Sequence, residues 1–281
     1  MEELFSLIIP EDFSPQALGK VLRHHGFSRT LLRKLKREAA IYKNGEQARL
    51  VDLVLPGDSI FVAKVPAETN LIPEIGDLDL IYEDKQLLVV NKPPGILTHP
   101  LSYERRGTLA NLIAGYLGGQ APHLIGRLDR GTSGLVIAAK DPLTASKLFK
   151  ERQAGLWLPE YLAFVKGELS GEGEVDLPLG RKDGKRGVSD QGKSARTLYK
   201  SLAHTPEASL LQVTIITGRT NQIRIHMAAI GHPLLGEGLY GWDDTIPRPA
   251  LHAWQVKLPQ LGQFVAPLAP DLEELRVKLF C

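Results

Sequence analysis

Six short apolar segments, separated by turns and by only a few helices, are the feature that most constrains the fold. Each is typical of a β-strand, at residues 80–82, 87–90, 135–137, 161–165, 210–216 and 251–256. Helices are predicted between them at about residues 108–117, 142–153 and 220–230. Strands joined mainly by short turns favour antiparallel pairing, whereas a doubly wound parallel sheet needs crossover helices throughout. We therefore predict an α+β domain with a mixed, mainly antiparallel sheet and flanking helices.

The first 65 residues are predicted to form a separate, small α+β module. Ser14 and Ser28 are the expected N-caps of two short helices, the second of which carries three leucines on one face. The Asn-Gly pair at residues 44–45 predicts a two-residue hairpin, and a strand is expected at 59–63. A polar segment with two prolines and no periodicity follows. The predicted organisation is a module at 1–65, a linker at 66–78 and a second domain at 79–281.

The net charge of the chain is only +2, but its positive charge is concentrated in this module. Between residues 20 and 43, eight lysines or arginines stand against one acidic residue. Burial of the leucine face would turn the basic side chains of the second helix toward solvent. A merely solvated helix face is the alternative, but such faces usually mix both signs. We therefore expect phosphate contacts, from Arg29, Arg33, Lys36 and Arg37.

A turn at residues 126–134, with the sequence Gly-Arg-Leu-Asp-Arg-Gly-Thr-Ser-Gly, is the first candidate for a reactive site. It sets Asp129 between Arg127 and Arg130. Adjacent positive charge is expected to keep the carboxylate ionised, which suits a nucleophile or general base, and leaves the arginines free for phosphates. An ion-paired surface turn is the alternative. The position of this turn between two apolar segments favours a rigid mount for one reactive carboxylate.

Three further segments carry side chains that could join this carboxylate. Arg224, on a predicted helix, could pair with it or simply lie exposed. Tyr161, on a predicted strand, could offer its ring to a nucleobase or fill the core. Asn91 and Lys92 follow a strand at a rigid Pro-Pro-Gly turn.

Several function classes are disfavoured by what the sequence lacks. Its eight histidines are dispersed without a metal-binding spacing, and the one cysteine, Cys281, allows no disulfide. Neither a phosphate-binding nor a dinucleotide-binding glycine loop occurs, so we expect no metal and no cofactor. No apolar run reaches membrane-spanning length and no signal peptide is apparent, which predicts a cytoplasmic protein with no membrane partner. Monomer is the default expectation.

Taken together, these motifs resemble the RluA-type RNA pseudouridine synthases over nearly the whole chain. The matching segments occur in the family's order, at residues 80–95, 107–112, 127–135, 161–167, 217–226, 231–236, 240–241 and 251–253. The N-terminal module is similar to the small RNA-binding module first known from a ribosomal small-subunit protein of the S4 type. It departs from that module's usual Gly-x-Val-x-Val-Asn-Gly at residues 39–45.

The resemblance implies an enzyme that isomerises uridine in RNA, after flipping the nucleotide out of its stack. Asp129 would attack the uracil ring or the ribose carbon, so that the glycosidic carbon–nitrogen bond breaks and the base rejoins through C5. Tyr161 would stack on the base and could assist removal of the C5 proton, and Arg224 would pair with Asp129. Arg127 would fill the space left in the RNA, and Ile223 would pack beneath the base. Further substrate-binding residues are expected at Arg130, Thr132, Asn91, Lys92, Arg219 and Gln222.

Two positions depart from the family pattern. Gly126 and Asn221 stand where many members have His, and we expect both changes to affect the fit of RNA more than activity. A second cationic run, between residues 181 and 200, is predicted to form a mobile hairpin that closes over RNA.

The resemblance also implies a class of RNA substrate, and there are two alternatives to the function that it implies. The appended module favours large-subunit ribosomal RNA, as in the RluD-like and RluC-like branches, with transfer RNA as the alternative. A non-catalytic RNA-binding protein would be expected to lack the nucleophile. A glycoside hydrolase would need a second carboxylate, and no motif places one beside Asp129.

Overall fold

The computed structural model describes residues 1–65, 69–182 and 185–281, the side chain of Lys182 excepted. Residues 66–68 of the predicted linker and residues 183–184 of the second cationic run lie outside the described residues. The first 65 residues contain β1 (Glu3–Ile8), β2 (Gln16–Ala17), α1 (Leu18–His24), α2 (Arg29–Arg37), β3 (Ile41–Lys43), β4 (Glu46–Gln47), β5 (Leu53–Val54) and β6 (Ser59–Ala63). Four strands form one antiparallel sheet in the order β1-β6-β3-β4, and β2 pairs with β5.

Local sequence signals explain α2 and the hairpin but not α1. The Ser28 hydroxyl accepts a hydrogen bond from the Leu31 backbone N–H (3.1 Å), as expected of an N-cap, and Asn44 has the positive φ (53°) that the hairpin turn requires. Ser14, in contrast, does not cap α1. The chain stays extended through β2 because it pairs with β5, and α1 begins only at Leu18, whose N–H donates to Asp52 O (2.9 Å).

The rest of the chain forms a larger sheet with four helices among the described residues. Its elements are β7 (Leu80–Glu83), β8 (Leu87–Lys92), α3 (Leu109–Tyr116), β9 (His123–Leu124), β10 (Ser133–Ala139), α4 (Pro142–Gln153), β11 (Pro159–Lys166), β12 (Glu172–Asp176), β13 (Leu179–Lys182), β14 (Lys185–Val188), β15 (Arg196–His204), β16 (Ala208–Ile215), α5 (Gln222–Ala229), β17 (Leu251–Leu258), β18 (Gly262–Val265) and α6 (Pro270–Phe280).

Ten of these strands share one sheet. The order is β12-β15-β16-β11-β17-β10-β8-β7, with β18 beside β17 and β9 beside β10. Among the described strands of this sheet, β10 and β17 are the single parallel pair. Gly134 permits this pairing, because a Cβ there would lie 2.1 Å from the Ala253 carbonyl oxygen. The predicted α+β class with a mainly antiparallel sheet and flanking helices is confirmed.

The helices cover both faces of the sheet, and the alternation along β11 shows how. Tyr161 and Ala163 point into one core cluster with residues of α3 and α5. Leu162 and Phe164 point to the opposite face, where they pack with residues of α6. Strand periodicity therefore places Tyr161 on the same face as α5.

One part of the second cationic run was interpreted wrongly. The strands β13 (Leu179–Lys182) and β14 (Lys185–Val188) pair with each other, but Arg196 and Lys200 belong to β15, a strand of the large sheet between β12 and β16. Alternation along this strand buries Thr197 completely, so the segment packs as a sheet strand. The predicted hairpin is therefore shorter than the charge pattern indicates.

The N-terminal module rests against α4. Leu143, near the start of α4, packs into the core of the module. Farther along the helix, Ser146 Oγ donates to the Gly26 carbonyl oxygen (2.7 Å) and Lys150 Nζ donates to Arg23 O (3.2 Å). Residues 69–78 form no helix or strand, and Asn111 of α3 holds them by donating to Ile72 O (2.8 Å).

Candidate active site

A cavity of about 640 Å³ is lined by the turn before β10, the strands β11 and β17, the end of α4 and the start of α5. It brings together all three predicted catalytic residues, Asp129, Tyr161 and Arg224. The predicted substrate-binding residues that also line it are Arg127, Thr132, Arg219, Gln222 and Ile223. The predicted residues that do not line it are Asn91, Lys92, Arg130 and the four basic residues of α2.

The turn that carries Asp129 is fixed by its own backbone and by two neighbouring segments. The Asp129 carbonyl oxygen accepts a hydrogen bond from the Thr132 N–H (3.0 Å). On one side, Thr98 Oγ1 donates to the carbonyl oxygen of Leu128 (2.7 Å). On the other, Arg248 donates to the carbonyl oxygen of Gly131 (2.8 Å). Neither Thr98 nor Arg248 stood out in the sequence, because each contacts this distant turn only through the turn's backbone atoms.

Lys92 was predicted to bind substrate, but the structure shows that it supports the same turn instead. Its side chain is fully buried. Its ammonium group donates to the carbonyl oxygens of Pro93 (2.8 Å), Ile96 (3.0 Å) and Arg130 (3.4 Å). Three bonds exhaust the donors of an ammonium group, so nothing is left for RNA. Burial lowers the pKa of Lys92 to about 8.

Asn91 and Arg130 were also predicted to bind substrate, but both lie outside the cavity lining and have partners within the protein. Asn91 donates to Asp79 (2.9 Å), outside the cavity. Arg130 is ion-paired with Glu104 and donates to the Gly95 carbonyl oxygen (3.2 Å). The two arginines beside Asp129 thus differ, since Arg127 is exposed on the cavity wall and Arg130 is already engaged.

Arg224 pairs with Asp129, as predicted for a buried partner, but its main partner is another acid. Its Nη1 lies 3.7 Å from Asp129 Oδ2. Its Nε and Nη2 donate to the two carboxylate oxygens of Glu237 (2.6 and 2.7 Å). Glu237 is fully buried, and although burial alone would raise its pKa, the bonds from Arg224 and the Leu239 N–H hold the pKa below its ordinary value. The matched segment ended at residue 236, so Glu237 was missed.

Asn221 is a second neighbour of Asp129 that sequence reasoning misjudged. It precedes α5 in the left-handed conformation (φ 57°), which asparagine tolerates better than most residues. In the amide orientation that satisfies both its neighbours, Asn221 Nδ2 donates to Asp129 Oδ2 (2.6 Å) and Oδ1 accepts from the Tyr240 hydroxyl (2.9 Å). The residue therefore contacts the predicted nucleophile itself, whereas its departure from the family pattern had been interpreted as a matter of RNA fit.

The electrostatics of Asp129 also differ from the sequence-based expectation. Burial raises the pKa of its carboxyl group above the ordinary value, and the positive charges of Arg224, Arg127 and Lys92 oppose that rise. Arg130, the other arginine beside Asp129 in the sequence, is not among the cations that lower this pKa. The cations that favour ionisation thus come from three separate segments, and only one of the two flanking arginines, Arg127, is among them.

Tyr161 fills the core, as one of its two interpretations proposed, and the other, that its ring meets a nucleobase, stays a prediction. It belongs to the core cluster beneath the cavity, where only 7% of its surface is exposed, and it also lines the cavity. Burial raises the pKa of its hydroxyl to about 12, so the phenol is protonated at neutral pH. Ile223 packs in the same cluster and is likewise buried on the cavity wall.

Gln222 is a structural residue, and its assignment to substrate binding was wrong. Its Nε2 donates to Arg196 O (2.9 Å) and Thr197 Oγ1 (3.0 Å). Its Oε1 accepts from Thr217 Oγ1 (2.8 Å) and the Arg219 N–H (3.0 Å). These four bonds use the full capacity of the amide.

The basic side chains of α2 lie exposed on the module, as the leucine pattern predicted. We call this surface the basic face; it consists of Arg29, Arg33, Lys36 and Arg37. Arg29 and Arg33 border a shallow groove of about 280 Å³, together with Lys20 and Arg23 of α1. This groove is separate from the cavity that contains Asp129.

Comparison with known proteins identifies the family. The model of the RNA pseudouridylate synthase family matches residues 86–229, a range that includes Asp129, Tyr161 and Arg224. The chain belongs to this family. The uncharacterized RNA pseudouridine synthase YhcT of Bacillus subtilis is 37% identical, over 79% of this chain and 80% of the relative. Ribosomal large subunit pseudouridine synthase D of Nitrosomonas europaea is 32% identical, over 98% of this chain and 87% of the relative.

Solved structures agree with this identification. The human RNA pseudouridylate synthase domain containing 4 protein aligns with a TM-score of 0.60 at 25% identity, covering 72% of this chain and 92% of that one. The protein is thus an RNA pseudouridine synthase, an isomerase, and the resemblance to the RluA type is confirmed. None of the helices in the described ranges has the length and apolar character needed to cross a bilayer.

Proposed function

We propose that Asp129 is the nucleophile of this synthase and that the target uridine reaches it by flipping out of the RNA into the cavity. One observation carries the proposal. Among the described residues that line the cavity, Asp129 is the only carboxylate, and it lies beside Tyr161 and Arg224. A glycosidase-like site with two facing carboxylates is not formed by these lining residues.

The reaction would exchange one bond for another at the ribose. An Asp129 carboxylate oxygen attacks the uracil ring or the ribose C1′, and the C1′–N1 bond breaks. The base then reorients and C5 bonds to C1′, while the bond between Asp129 and the substrate breaks and the carboxylate is regenerated. The C5 proton leaves and N1 gains a proton, so that product and substrate are isomers. A stacked base hides its glycosidic bond, and flipping costs a few kcal/mol, which favours uridines in loops or bulges.

Arg224, Glu237 and Asn221 would position the nucleophile. Glu237 fixes the guanidinium of Arg224 with two short hydrogen bonds, and its third nitrogen faces Asp129. Asn221 donates to Asp129 Oδ2 and is itself oriented by Tyr240. Both contacts are made to Oδ2 of Asp129, which supports a single reactive orientation of the carboxylate.

Tyr161 would supply a stacking surface for the flipped base. Its ring lines the cavity, and its neighbour Ile223 would pack beneath the base. Because burial raises the pKa of Tyr161 to about 12, phenolate is scarce at neutral pH. We therefore favour stacking over removal of the C5 proton as the role of this residue.

The positive surfaces would hold the RNA. Arg127 is exposed at the cavity wall, where it can fill the space that the flipped uridine leaves. The basic face would bind phosphates as part of a module at residues 1–65.

The hairpin β13–β14 exposes Arg181, Lys185 and Arg186 and would close over bound RNA. Protection of this hairpin from proteolysis should rise on addition of substrate RNA; unchanged cleavage would contradict closure.

We infer that the substrate is large-subunit ribosomal RNA, with transfer RNA as the alternative. The name of the Nitrosomonas europaea relative, which matches almost the whole chain including the module, supports this choice. Mapping of pseudouridines in both RNA classes, from cells with and without the gene, would decide between them. The cytoplasmic location, the monomeric state and the independence from metals and cofactors stay predictions.

The proposal is tested with Asp129→Asn, which keeps the shape of the side chain but loses its charge. Removal of a catalytic nucleophile typically costs at least about four orders of magnitude in rate. We expect the variant to lose uridine isomerisation in a single-turnover assay while RNA affinity stays within about threefold of wild type. Near-normal turnover would show that Asp129 is not the nucleophile.

A further inference from the structure

The last turn of α4 places a guanidinium group in the cavity that no role described above requires. Arg152 lines the cavity and is half-buried. Its guanidinium carbon lies 5.5 Å from the centroid of the Trp157 ring, and Trp157 is itself buried. Stacking on an indole favours one position of an otherwise flexible side chain. Arg152 is therefore held at the cavity wall.

Two glycines leave the space that this guanidinium occupies. A Cβ at Gly126 would lie 2.7 Å from Arg152 Nη1, too close for any other residue unless Arg152 moved. A Cβ at Gly218 would lie 3.5 Å from Arg152 Nη2, in ordinary contact. Gly126 immediately precedes Arg127 in the turn that carries Asp129, and Gly218 lies in the loop that leads to α5. The guanidinium thus sits between the two segments that provide the nucleophile and its arginine.

Arg152 has no anionic partner among the described residues, in contrast to the arginines that hold the nucleophile and the turn that carries it. Arg224 is paired with Glu237, Arg130 with Glu104 and Arg248 with Asp271. Within residues 1–65, 69–182 and 185–281, no carboxylate forms an ion pair or hydrogen bond with Arg152. A half-buried charge without a partner is costly, and an anion that arrives with the substrate would offset that cost. A guanidinium is also the side-chain group best suited to bind a phosphate through two hydrogen bonds.

We propose that Arg152 binds a backbone phosphate that flanks the flipped uridine. The inference rests on the proposed function, because it needs a nucleotide that enters the cavity toward Asp129. The base would lie beside Tyr161. Its ribose and phosphates would lie along the cavity wall near Gly126 and Gly218, next to the guanidinium of Arg152. Arg152 would then fix the ribose–phosphate of the reacting nucleotide, whereas the basic face binds phosphates farther along the RNA.

A helix-stabilising role is the structural alternative. A cation in the last turn of a helix interacts favourably with its C-terminal carbonyl groups, and Arg152 lies in the last turn of α4. Lys150 occupies the same turn, so this role does not require Arg152. The two roles differ in a measurable way, since only a phosphate contact changes the salt dependence of RNA binding.

The test compares Arg152→Ala and Arg152→Lys with a matched control, Arg276→Ala. Arg276 is also a half-buried arginine, but it lies on α6 and pairs with Glu273 outside the cavity. The probe is the unmodified transcript that wild-type enzyme converts, either large-subunit ribosomal RNA or transfer RNA. Single-turnover conversion is measured against enzyme concentration, and binding is measured at several salt concentrations in the Asp129→Asn background.

For Arg152→Ala we expect the half-saturating concentration to rise about tenfold, the loss typical of a charged hydrogen-bonded contact. The slope of log affinity against log salt should fall by about 0.7 to 0.9, the value of one lost phosphate contact. Arg152→Lys should keep the slope, because the charge remains, and Arg276→Ala should change neither quantity.

An Arg152→Ala variant with the affinity and slope of wild type, or with reduced thermal stability as its only defect, would overturn the proposal. That result would leave the proposed function intact if Asp129→Asn still abolishes isomerisation. Conversely, isomerisation that survives in Asp129→Asn would refute the nucleophile, whatever Arg152 does.

Discussion

The two positively charged regions of this enzyme differ in what surrounds their cations. The side chains of the basic face are exposed on α2, on the module side of the molecule. Around the nucleophile, Arg224 is 9% exposed and held by Glu237, and Lys92, behind the cavity lining, is fully buried among carbonyl oxygens. Exposed cations keep their hydration and can meet any phosphate, whereas buried cations must be satisfied at one geometry. The comparison separates charges that bind RNA from charges that hold the nucleophile.

The largest effect is expected where a buried cation loses its partner. Glu237→Ala leaves Arg224 buried with only the longer contact to Asp129, and breaking a buried ion pair from one side costs about 3–5 kcal/mol. We expect urea unfolding to show a loss of that size and isomerisation to fall sharply in the fraction that stays folded. Glu237→Gln, which keeps the shape and one acceptor, should lose less of both.

The half-buried surface pair between Arg276 and Glu273, which is far more accessible than Arg224 and Glu237, is the matched control for this experiment. Glu273→Ala should change the free energy of unfolding by less than about 1 kcal/mol, as surface pairs usually do, and should leave activity unchanged. If both glutamate variants lost equal stability, the distinction between buried and exposed charges would fail.

Lys92 provides a pH-dependent test of the same distinction. Burial lowers its pKa from 10.5 to about 8 in the folded protein, so the unfolded chain binds more protons between these values. Stability should therefore rise with pH across that window, by up to about 3 kcal/mol, relative to a variant that cannot titrate there. Urea unfolding of wild type and Lys92→Met between pH 7.5 and 10 measures this difference, and parallel stability curves would contradict it.

The sequence predicted much of the fold because the signals for its central elements are local. The cap at Asp141 places α4 at its observed start, and the Asn-Gly pair produces the hairpin between β3 and β4. Elements whose formation depends on distant partners were missed. The strand β2 forms because β5 is beside it. The strand β15 was hidden in a cationic run, and its place in the sheet depends in part on β12, whose partner residues lie 20 to 28 positions earlier in the chain.

The candidate active site was likewise predicted only in part, because some of its contacts depend on distant partners. Motifs pointed to Asp129, Tyr161 and Arg224, and one cavity contains all three. They did not show which charged neighbours are already engaged, because Arg130 finds Glu104 and Arg224 finds Glu237 only in the folded chain. The sequence shows which charged residues lie near a reactive group. Which of them form ion pairs depends on the tertiary structure.

A smaller effect is expected at Asn221, a neutral neighbour of the nucleophile. Asn221→Gly removes the hydrogen bond to Asp129 while tolerating the left-handed backbone, so strain does not confuse the result. A hydrogen bond to a charged group contributes about 1.5–3 kcal/mol, and we expect the single-turnover rate to fall about tenfold or more at unchanged RNA affinity. Tyr240→Phe, which only releases the Asn221 amide, should cost less. A normal rate in Asn221→Gly would mean that Arg224 alone positions the carboxylate.

The smallest effect on the chemical step is expected from substitutions on the basic face. They test the comparison of buried and exposed cations at its exposed member. Replacing Arg29, Arg33 and Lys36 together by Gln should lower RNA affinity by about fivefold or more at moderate salt and reduce the salt slope by about two, with the saturated rate unchanged. Unfolding free energy should stay within about 1 kcal/mol of wild type, because exposed charges contribute little to folding. Gln at three other exposed basic positions, Lys85, Lys257 and Lys278, is the charge-matched control. If both triple variants lost equal affinity, RNA binding would depend on total charge rather than on this face; a reduced saturated rate would mean that the module also acts on the chemical step.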